Sequence, residues 1–293
     1  MHIMFQLKKL TKYIAVFCPY PVKDFIKRYF GGGTFLSQVE FHLVDHCNLN
    51  CACCNHFTPV TPEHFFKIED IVSDFKKLKK IFDNIGKIFI LGGEPLLHPD
   101  ITKLFEPLRK IYPKSEIVII TNGILLDEMD ENFWNALVEY NIALSMTKYP
   151  IKVDYEKQLK KCDKLGIKSY FFNNPRFRMK KMNLDPDGRS DKNCTFNKCS
   201  EKKCHFLRDS KLYVCTAIPN IPFLNRHFNL NFEITKNDYI DLDKTKSATK
   251  INSIFNHPVD FCRYCNEGED GFVDYAISKK ELGEWVKIDS SQN

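Results

Sequence analysis

Long apolar runs are missing from this 293-residue sequence. No stretch approaches the roughly 18 consecutive apolar residues that indicate a membrane-spanning helix. The apolar stretch from Tyr13 to Pro19 is too short, and it lacks the cleavage pattern of a signal peptide. We therefore expect no transmembrane segment and no signal peptide, which predicts a cytoplasmic protein.

A strong charge of either sign is also missing. The sequence has 43 Lys and Arg residues against 37 Asp and Glu residues, so the formal net charge is +6. This mild basic excess suits a phosphate-bearing or otherwise anionic partner and does not require nucleic acid. With 43 % apolar residues, the chain can bury a full core, as one large domain or as a large domain with a small appendage.

Cysteine, by contrast, is abundant, with twelve residues. In a reducing compartment, so many cysteines indicate metal ligands or buried thiols rather than disulfides. Four of them lie in the segment HCNLNCACCNHF, between Cys47 and Cys54. Cys18 and Cys162 are expected to be ordinary thiols, Cys162 on the inner face of a helix.

The first 36 residues carry two short basic amphipathic patterns that end at the run Gly31 to Gly33. They predict an N-terminal extension of two helices, packed across a barrel edge or lying on a membrane surface. From residue 38, short apolar runs such as VEFHLV, KIFIL, EIVII and IALSM alternate with helical patterns. Because these apolar runs are continuous, both faces of the sheet should be covered, which indicates parallel strands with helices outside.

The repeat continues with helices at about 101 to 112, 130 to 140 and 154 to 165, and with a sixth strand at about 177 to 184. Six repeats are fewer than the eight of a closed barrel. The predicted fold class is therefore α/β, with an open, partial (β/α)6 barrel of parallel strands over residues 37–190. Residues 191–293 should form a small cysteine-rich appendage, with no long helix before a C-terminal one in SKKELGEWV.

Three cysteines of the first group are placed for chemistry. Cys47, Cys51 and Cys54 follow the first predicted strand, where parallel α/β folds carry their catalytic loops. Zinc sites usually draw four ligands from two separated pairs, whereas three thiolates on one loop leave the fourth iron of a four-iron four-sulfur cube open. An open iron can bind a substrate or a cofactor.

With two further motifs, the chain resembles the radical S-adenosylmethionine (SAM) superfamily. The family's hallmark, Cys-x-x-x-Cys-x-x-Cys after the first strand, is joined here by GGEP at Gly92 to Pro95 and by TNG at Thr121 to Gly123. The resemblance implies that Cys47, Cys51 and Cys54 bind a four-iron four-sulfur cluster whose unique iron chelates the methionine part of SAM. It also implies that electron transfer from this cluster cleaves SAM to a 5′-deoxyadenosyl radical.

The same resemblance implies several cofactor contacts. Gly92, Gly93 and Glu94 match the family's contact to the methionine ammonium group, in agreement with the close approach that glycine allows and the pairing of a carboxylate with a cation. The residue before the third ligand is usually bulky and lies against the adenine, but here it is Cys53, which could also compete with Cys54 for iron. The remaining predicted SAM contacts are Pro95, Asn122, Ser145 and Thr147, the last two being either ribose contacts or ordinary strand residues.

A second group of cysteines indicates another metal site. Two cysteines flank a predicted hairpin that turns at Asp209 and Ser210, and two more form a close Cys-x-x-Cys pair. The four predicted ligands are Cys204, Cys215, Cys262 and Cys265. Their spacing suits a four-iron four-sulfur cluster or zinc. The arrangement resembles the twitch form of the SPASM-type auxiliary-cluster domain, which favours iron, and Cys194 or Cys199 could replace one ligand.

The resemblance also implies a reaction. Family members with two clusters in this layout dehydrogenate or remodel sugar-like alcohols, or modify peptides, and the second cluster can accept an electron from the substrate radical. Peptide-modifying members often carry an extra peptide-recognition domain, and we expect the 36 leading residues to be too few for one. We therefore predict an oxidoreductase-type enzyme that abstracts a hydrogen atom from a sugar, sugar alcohol or nucleotide-linked sugar, leading to dehydrogenation, epimerisation or dehydration.

Two alternatives stay open: a peptide- or protein-modifying maturase, and a non-catalytic iron–sulfur or zinc protein that senses redox state or binds a partner. As partners we expect a small-molecule substrate and an electron donor such as flavodoxin or ferredoxin. Aromatic and basic residues of YFFNNPRFRMKKMN could stack on a sugar ring and pair with a phosphate, or form a solvated basic face.

Overall fold

The computed structural model describes residues 34–171, 177–266 and 271–288. The predicted N-terminal helices therefore lie outside the described residues, and the first described strand begins at Phe35. Within these three ranges, no helix is both long enough and apolar enough to cross a membrane.

Strands and helices alternate through the first part of the chain. In order they are β1 (Phe35–Val44), α1 (Ile68–Lys79), β2 (Asn84–Gly92), α2 (Phe105–Ile111), β3 (Glu116–Thr121), α3 (Glu131–Glu139), β4 (Ile142–Met146), α4 (Tyr155–Leu165) and β5 (Ser169–Phe171). The five strands pair in parallel, in the order β5-β4-β3-β2-β1. The predicted α/β fold with a mostly parallel, open sheet is confirmed, as are the three predicted helices, the first of which starts with the 3-10 turn Ile101–Leu104.

Local sequence explains several helix ends. Asp130 and Asp154 precede α3 and α4, and each carboxylate accepts a hydrogen bond from a backbone amide of the first turn, at 2.9 Å in both cases. Gly166 ends α4 with a φ of 71°, a left-handed conformation that glycine adopts without strain. These caps fix the lengths of the helices that cover the sheet.

The second part of the chain is built from shorter elements. They are β6 (Arg178–Lys180), α5 (Lys192–Lys198), β7 (Phe206–Arg208), β8 (Lys211–Tyr213), α6 (Ala217–Phe228), β9 (Tyr239–Asp241), α7 (Ala248–Phe255) and β10 (Phe272–Asp274). Strand β7 lies parallel to β1 on the side away from β2, and β8 and β9 extend the same sheet to eight strands. One sheet thus takes strands from both sides of residue 190, and the division into domains there stays a prediction.

The sixth strand predicted at about 177 to 184 is present only over Arg178–Lys180, and its predicted place in the parallel sheet is wrong. This segment contains β6, which pairs antiparallel with β10 in a separate two-stranded sheet. Only Met179 of its three residues is buried, whereas a strand inside a parallel sheet is buried on both faces. The sixth parallel strand is β7, which joins the opposite edge of the barrel sheet.

The predictions for helices near the C-terminus are also wrong. SKKELGEWV holds only the 3-10 turn Leu282–Glu284, because the chain around Ser278 is extended and pairs with the backbone of Asn50. Conversely, α6 and α7 lie where no long helix was predicted. In α6, two prolines obscure a helix whose apolar face is nevertheless deeply buried.

The two faces of the sheet pack against different groups of residues. On β2, Ile88 and Ile90 belong to the main core under the helices, whereas Phe89 and Leu91 point to the other face and pack in a smaller cluster with Val118. Leu91 also lines a cavity at the carboxyl ends of the strands. The open face of the partial barrel therefore leads to the candidate site.

Candidate active site

The carboxyl ends of the first four strands surround a cavity of about 440 Å³. The predicted site residues that line it are Cys47, Cys51, Cys54, Gly92, Gly93, Glu94, Asn122, Thr147 and Cys204. Three segments that are far apart in sequence thus form one polar wall of the cavity: the cysteine loop, the GGEP segment and the TNG segment. This is where a parallel α/β sheet places its ligands.

The cysteine loop presents its sulfur atoms among hydrogen-bonding groups. The Leu49 amide lies 3.3 Å from Cys47 Sγ, and the Thr58 hydroxyl lies 3.5 Å from Cys54 Sγ. Burial, together with the charge of Glu94, raises the pKa of the Cys47 thiol. Across the described residues, no three Cys, His, Asp or Glu side chains are close enough to hold a single metal ion. Three thiols on one loop, all facing one cavity, still suit a larger iron–sulfur cluster.

Cys53 is placed differently from the three predicted ligands. Its backbone is left-handed, with a φ of 58°, and its side chain packs in a small cluster with Cys51, Ala52 and Met179. It is not among the residues that line the cavity. Cys53 thus lies beside Cys51 but, unlike Cys47, Cys51 and Cys54, does not line the cavity.

The GGEP segment fits tightly against the end of β1. A Cβ atom on Gly93 would lie 1.9 Å from the His46 carbonyl oxygen, and one on Gly92 would lie 2.4 Å from the Val44 carbonyl oxygen. Only glycine therefore allows this approach without a shift of the backbone. The Gly93 amide donates to the Val44 carbonyl at 2.8 Å, which fixes the segment beside the cysteine loop.

Glu94 is buried and held by three hydrogen bonds. Its Oε1 accepts from the Leu96 amide at 3.1 Å and from the Thr121 hydroxyl at 2.7 Å, and its Oε2 accepts from the Asn122 amide at 2.9 Å. Burial raises the pKa of Glu94 to about 7, although these hydrogen bonds oppose the rise. A carboxylate has about four acceptor positions, so Oε2 can take one further donor from a ligand. Pro95, next in sequence, begins a 3-10 turn and is buried.

The TNG segment connects to the cysteine loop through Asn122. Its side-chain nitrogen donates to Asn48 Oδ1 at 2.7 Å and lies 3.9 Å from Cys47 Sγ. Gly123 follows with a φ of 84°. The Asn122 amide group is therefore fixed at the edge of the predicted cluster site.

Ser145 and Thr147 lie at the end of β4. Thr147 lines the cavity, and its amide donates to the Thr121 carbonyl at 2.8 Å. Ser145 is fully buried, and among the described residues its hydroxyl has no hydrogen-bond partner. Strand alternation puts Ser145 on the same face as Ala143, the face that leads to the cavity. A buried hydroxyl of this kind fits a polar ligand at this wall.

One polar network at the site was not predicted from the sequence. His42 Nδ1 lies 2.8 Å from Asp45 Oδ1, and His42 Nε2 lies 2.7 Å from His56 Nδ1. Arg208 from β7 binds both oxygens of Asp45, at 2.6 and 3.1 Å. Burial opposes ionisation of Asp45, but His42 and Arg208 hold its pKa below the usual range. The network ties the cysteine loop to the hairpin β7–β8, and a histidine inside the apolar run VEFHLV was its only sequence signal.

Glu40 is a second residue that sequence reasoning missed. It lies on β1, lines the cavity and accepts a hydrogen bond from the Thr216 hydroxyl. Burial raises its pKa to about 8, the hydrogen bond opposes this rise, and Glu201 adds to it. The cavity thus contains a carboxyl group that none of the predicted SAM contacts accounts for.

The second group of cysteines lies beside this carboxyl group. Cys204 precedes β7 and Cys215 follows β8, and the turn between the strands is at Asp209 and Ser210, both with positive φ, as predicted. Burial raises the pKa of Cys215, and the neighbouring Cys199 and Cys262 contribute to the rise. The region has four further thiols. Cys262 and Cys265 lie at the end of a 3-10 turn. Cys199 is half-buried, and Cys194 is exposed.

Residues 41–168 match the family model described as the Radical SAM superfamily. These residues therefore form a domain of the radical SAM superfamily, whose members use a four-iron four-sulfur cluster together with SAM. The resemblance inferred from the cysteine loop, GGEP and TNG is confirmed at this level.

Curated proteins similar to the chain include two named GTP 3',8-cyclase. The protein from Microcystis aeruginosa is 30 % identical over 119 residues, which cover 37 % of this chain and 35 % of the relative. The protein from Clostridium perfringens is 33 % identical over 120 residues, which cover 40 % of this chain and 36 % of the relative. The chain therefore spans about a third of the length of the curated relatives it matches.

Similar solved structures include BtrN in complex with AdoMet and 2-DOIA, with a TM-score of 0.49 and 16 % identity, covering 80 % of this chain and 94 % of that one. Streptococcus suis SuiB bound to the precursor peptide SuiA has a TM-score of 0.39 and 19 % identity, covering 47 % of this chain and 33 % of that one.

Proposed function

We propose that this chain is a radical SAM enzyme that abstracts a hydrogen atom from a hydroxyl-bearing small molecule. The observation that carries the proposal is that Cys47, Cys51 and Cys54 share one cavity with Glu94 and Asn122, at the carboxyl ends of parallel strands. A redox sensor or a zinc-binding module needs metal ligands but not a polar cofactor wall. The shared cavity therefore favours an enzyme.

The residues have distinct roles in this proposal. Cys47, Cys51 and Cys54 would hold a four-iron four-sulfur cluster which, when bound and reduced, supplies the electron that cleaves SAM to a 5′-deoxyadenosyl radical. Glu94 would accept a hydrogen bond from the methionine ammonium group through Oε2. Around it, the close approach of the Gly92 and Gly93 backbone would leave room for the methionine part of SAM.

The polar residues farther along the cavity would hold the rest of the cofactor. Asn122, Ser145 and Thr147 offer amide and hydroxyl groups on adjoining strand ends, where a ribose would find donors and acceptors. Pro95 would shape the turn behind Glu94. Cys53 remains a proposed neighbour of the adenine, although its own side chain is not among those that line the cavity.

The charged side chains that line the cavity indicate which substrates it could bind. Among the described residues that line it, the carboxyl groups belong to Glu40, Glu94 and Glu201, and Lys180 is the one lysine or arginine. A nucleoside triphosphate carries several negative charges, and a single lysine offers little positive charge to balance them. The balance favours a sugar or sugar alcohol over GTP, and a nucleotide-linked sugar would depend on Lys180 for its phosphates.

The proposal includes a second, auxiliary four-iron four-sulfur cluster that accepts an electron from the substrate radical. Its ligands would be Cys204, Cys215, Cys262 and Cys265. The position of Cys204 on the cavity wall supports a site close to the substrate. Because Cys199 lies near Cys215, it is a better alternative ligand than the exposed Cys194.

The test uses the reconstituted, reduced protein with flavodoxin or ferredoxin as electron donor, under anaerobic conditions. SAM is supplied with sugars, sugar alcohols, nucleotide-linked sugars, peptides or GTP in separate reactions, and 5′-deoxyadenosine and substrate products are measured by mass spectrometry. We expect 5′-deoxyadenosine in all reactions and a stimulation by a sugar-like compound but not by GTP. Consumption of GTP would contradict the substrate class, and absence of 5′-deoxyadenosine throughout would contradict the enzyme.

A further inference from the structure

The chain returns to the first cysteine loop after the last cysteine pair. The Ala52 amide donates to the Ala276 carbonyl at 2.9 Å, and the Ser278 amide donates to the Asn50 carbonyl at 2.7 Å. Cys51 itself forms an isolated antiparallel bridge with Ile277. The backbone on both sides of Cys51 is therefore paired with a segment more than 220 residues away in sequence.

A second contact fixes the other end of the loop. Trp285 is fully buried, and its indole Nε1 donates to the Cys54 carbonyl at 2.8 Å. Its ring packs against Phe57 and Phe228, with ring centroids 6.3 and 5.9 Å away. We call residues 272–286 the closing segment, because they hold the loop at both Cys51 and Cys54.

One side chain of the closing segment reaches a sulfur atom directly. The Tyr275 hydroxyl lies 3.8 Å from Cys51 Sγ, and its ring packs beside Tyr149, with ring centroids 5.6 Å apart. A metal-bound cysteine is a thiolate and has no hydrogen to donate. In the loaded protein the hydrogen bond can therefore run in only one direction, from the tyrosine hydroxyl to the sulfur.

We propose that Tyr275 is a positioning residue that donates a hydrogen bond to the Cys51 sulfur and thereby raises the reduction potential of the SAM-binding cluster. Reduction adds negative charge to the cluster and its sulfurs, and a hydrogen-bond donor stabilises that charge. Groups behind the ligands of a metal site commonly tune it in this way. The inference depends on the proposed function, because it requires a cluster at Cys47, Cys51 and Cys54.

The test compares Tyr275→Phe with Tyr140→Phe. Tyr140 ends α3, and its hydroxyl lies on the outer surface, so this control removes the same group away from both cysteine groups. Iron per chain is measured first, followed by an anaerobic redox titration monitored by electron paramagnetic resonance. The signal of the first cluster is the one that changes when SAM is added.

We expect Tyr275→Phe to keep its iron and to shift the reduction equilibrium of this cluster about tenfold toward the oxidised state, which is about 59 mV for a one-electron couple. Tyr140→Phe should titrate like the wild type. An unchanged potential in Tyr275→Phe would overturn the inference. Loss of the cluster from Tyr275→Phe alone would also overturn it, since the residue would then act by packing. Wild-type protein without a SAM-responsive cluster would instead reject the proposed function.

Discussion

The two cysteine groups of this protein are built in different ways. The first lies on one short loop, and residues from three other parts of the chain surround it: Gly93, Asn122, and Tyr275 with Trp285 of the closing segment. The second is spread from residue 204 to residue 265, with one cysteine on either side of a hairpin and two at the end of a 3-10 turn. A local group carries its own sequence signature, whereas a dispersed group depends on the fold around it.

The largest effect is expected at the local group. Cys47→Ala, Cys51→Ala and Cys54→Ala should each abolish formation of 5′-deoxyadenosine, because the cluster would lose one of its three protein ligands. Cys53→Ala is the matched control and should retain activity, since Cys53 lies outside the cavity lining. Activity in Cys54→Ala together with loss in Cys53→Ala would show that the loop uses the other thiol.

The dispersed group should affect the product rather than the cleavage of SAM. In the Cys262→Ala, Cys265→Ala double variant, iron should fall from about eight to about four per chain, on the count of two four-iron clusters. Formation of 5′-deoxyadenosine should persist, while oxidised product is lost or greatly reduced. Undiminished product would reject a redox role, and one zinc per chain with about four irons would make this group structural.

Single variants can identify which thiols of the dispersed group bind the second cluster. Because the proposed ligands are Cys204, Cys215, Cys262 and Cys265, Cys194→Ala and Cys199→Ala should both keep the iron content of the wild type. Loss of iron from Cys199→Ala alone would show that Cys199, which lies near Cys215, replaces one of these four.

Variants of the two tryptophans can distinguish a loss of protein stability from a loss of support for the first cysteine loop. Trp285 and Trp134 are both buried, and each donates from its indole nitrogen to a backbone carbonyl, of Cys54 and Met129 respectively. Trp285→Ala and Trp134→Ala should each lower the free energy of unfolding by about 3 to 5 kcal/mol, measured by chemical denaturation. Only Trp285→Ala should also lose iron from the first group. Equal iron in both variants would show that the loop holds its shape without the closing segment.

The smallest effect is expected at Glu94, in the wall of the cavity that would bind SAM. Glu94→Gln should weaken SAM binding by about 1.5 to 3 kcal/mol, the range for a hydrogen bond to a charged group. The variant also places an amide donor opposite the Asn122 amide, so its stability is measured in parallel. Glu131→Gln on the exposed surface of α3 is the control, and an affinity in Glu94→Gln equal to that of the control would exclude contact with the ammonium group.

The sequence predicted those parts of the fold that are encoded locally. Strands β1 to β4 are continuous apolar runs, and α3 and α4 begin at aspartates, so both kinds of element could be recognised without knowing their neighbours. The sixth strand could not be found in this way. Strand β7 has only three residues, and its place beside β1 depends on pairing across more than 160 residues.

The candidate site shows the same division. The cysteine loop and GGEP are short motifs, whereas Glu40 and the pair His42 and Asp45 are single polar residues on or near an apolar strand. Their roles depend on Thr216 and Arg208, which reach them from the second part of the chain. Likewise, the prolines of α6 argue against a helix until its buried face is known.

The closing segment also sets an order for biogenesis. Translation proceeds from the N-terminus, and the residues that contact the cysteine loop last are Ala276, Ser278 and Trp285. While residues before the closing segment emerge from the ribosome, the loop therefore lacks its outer cover. We expect the machinery that inserts iron–sulfur clusters to have its best access to the loop at that stage, and the folding of the closing segment to enclose the cluster.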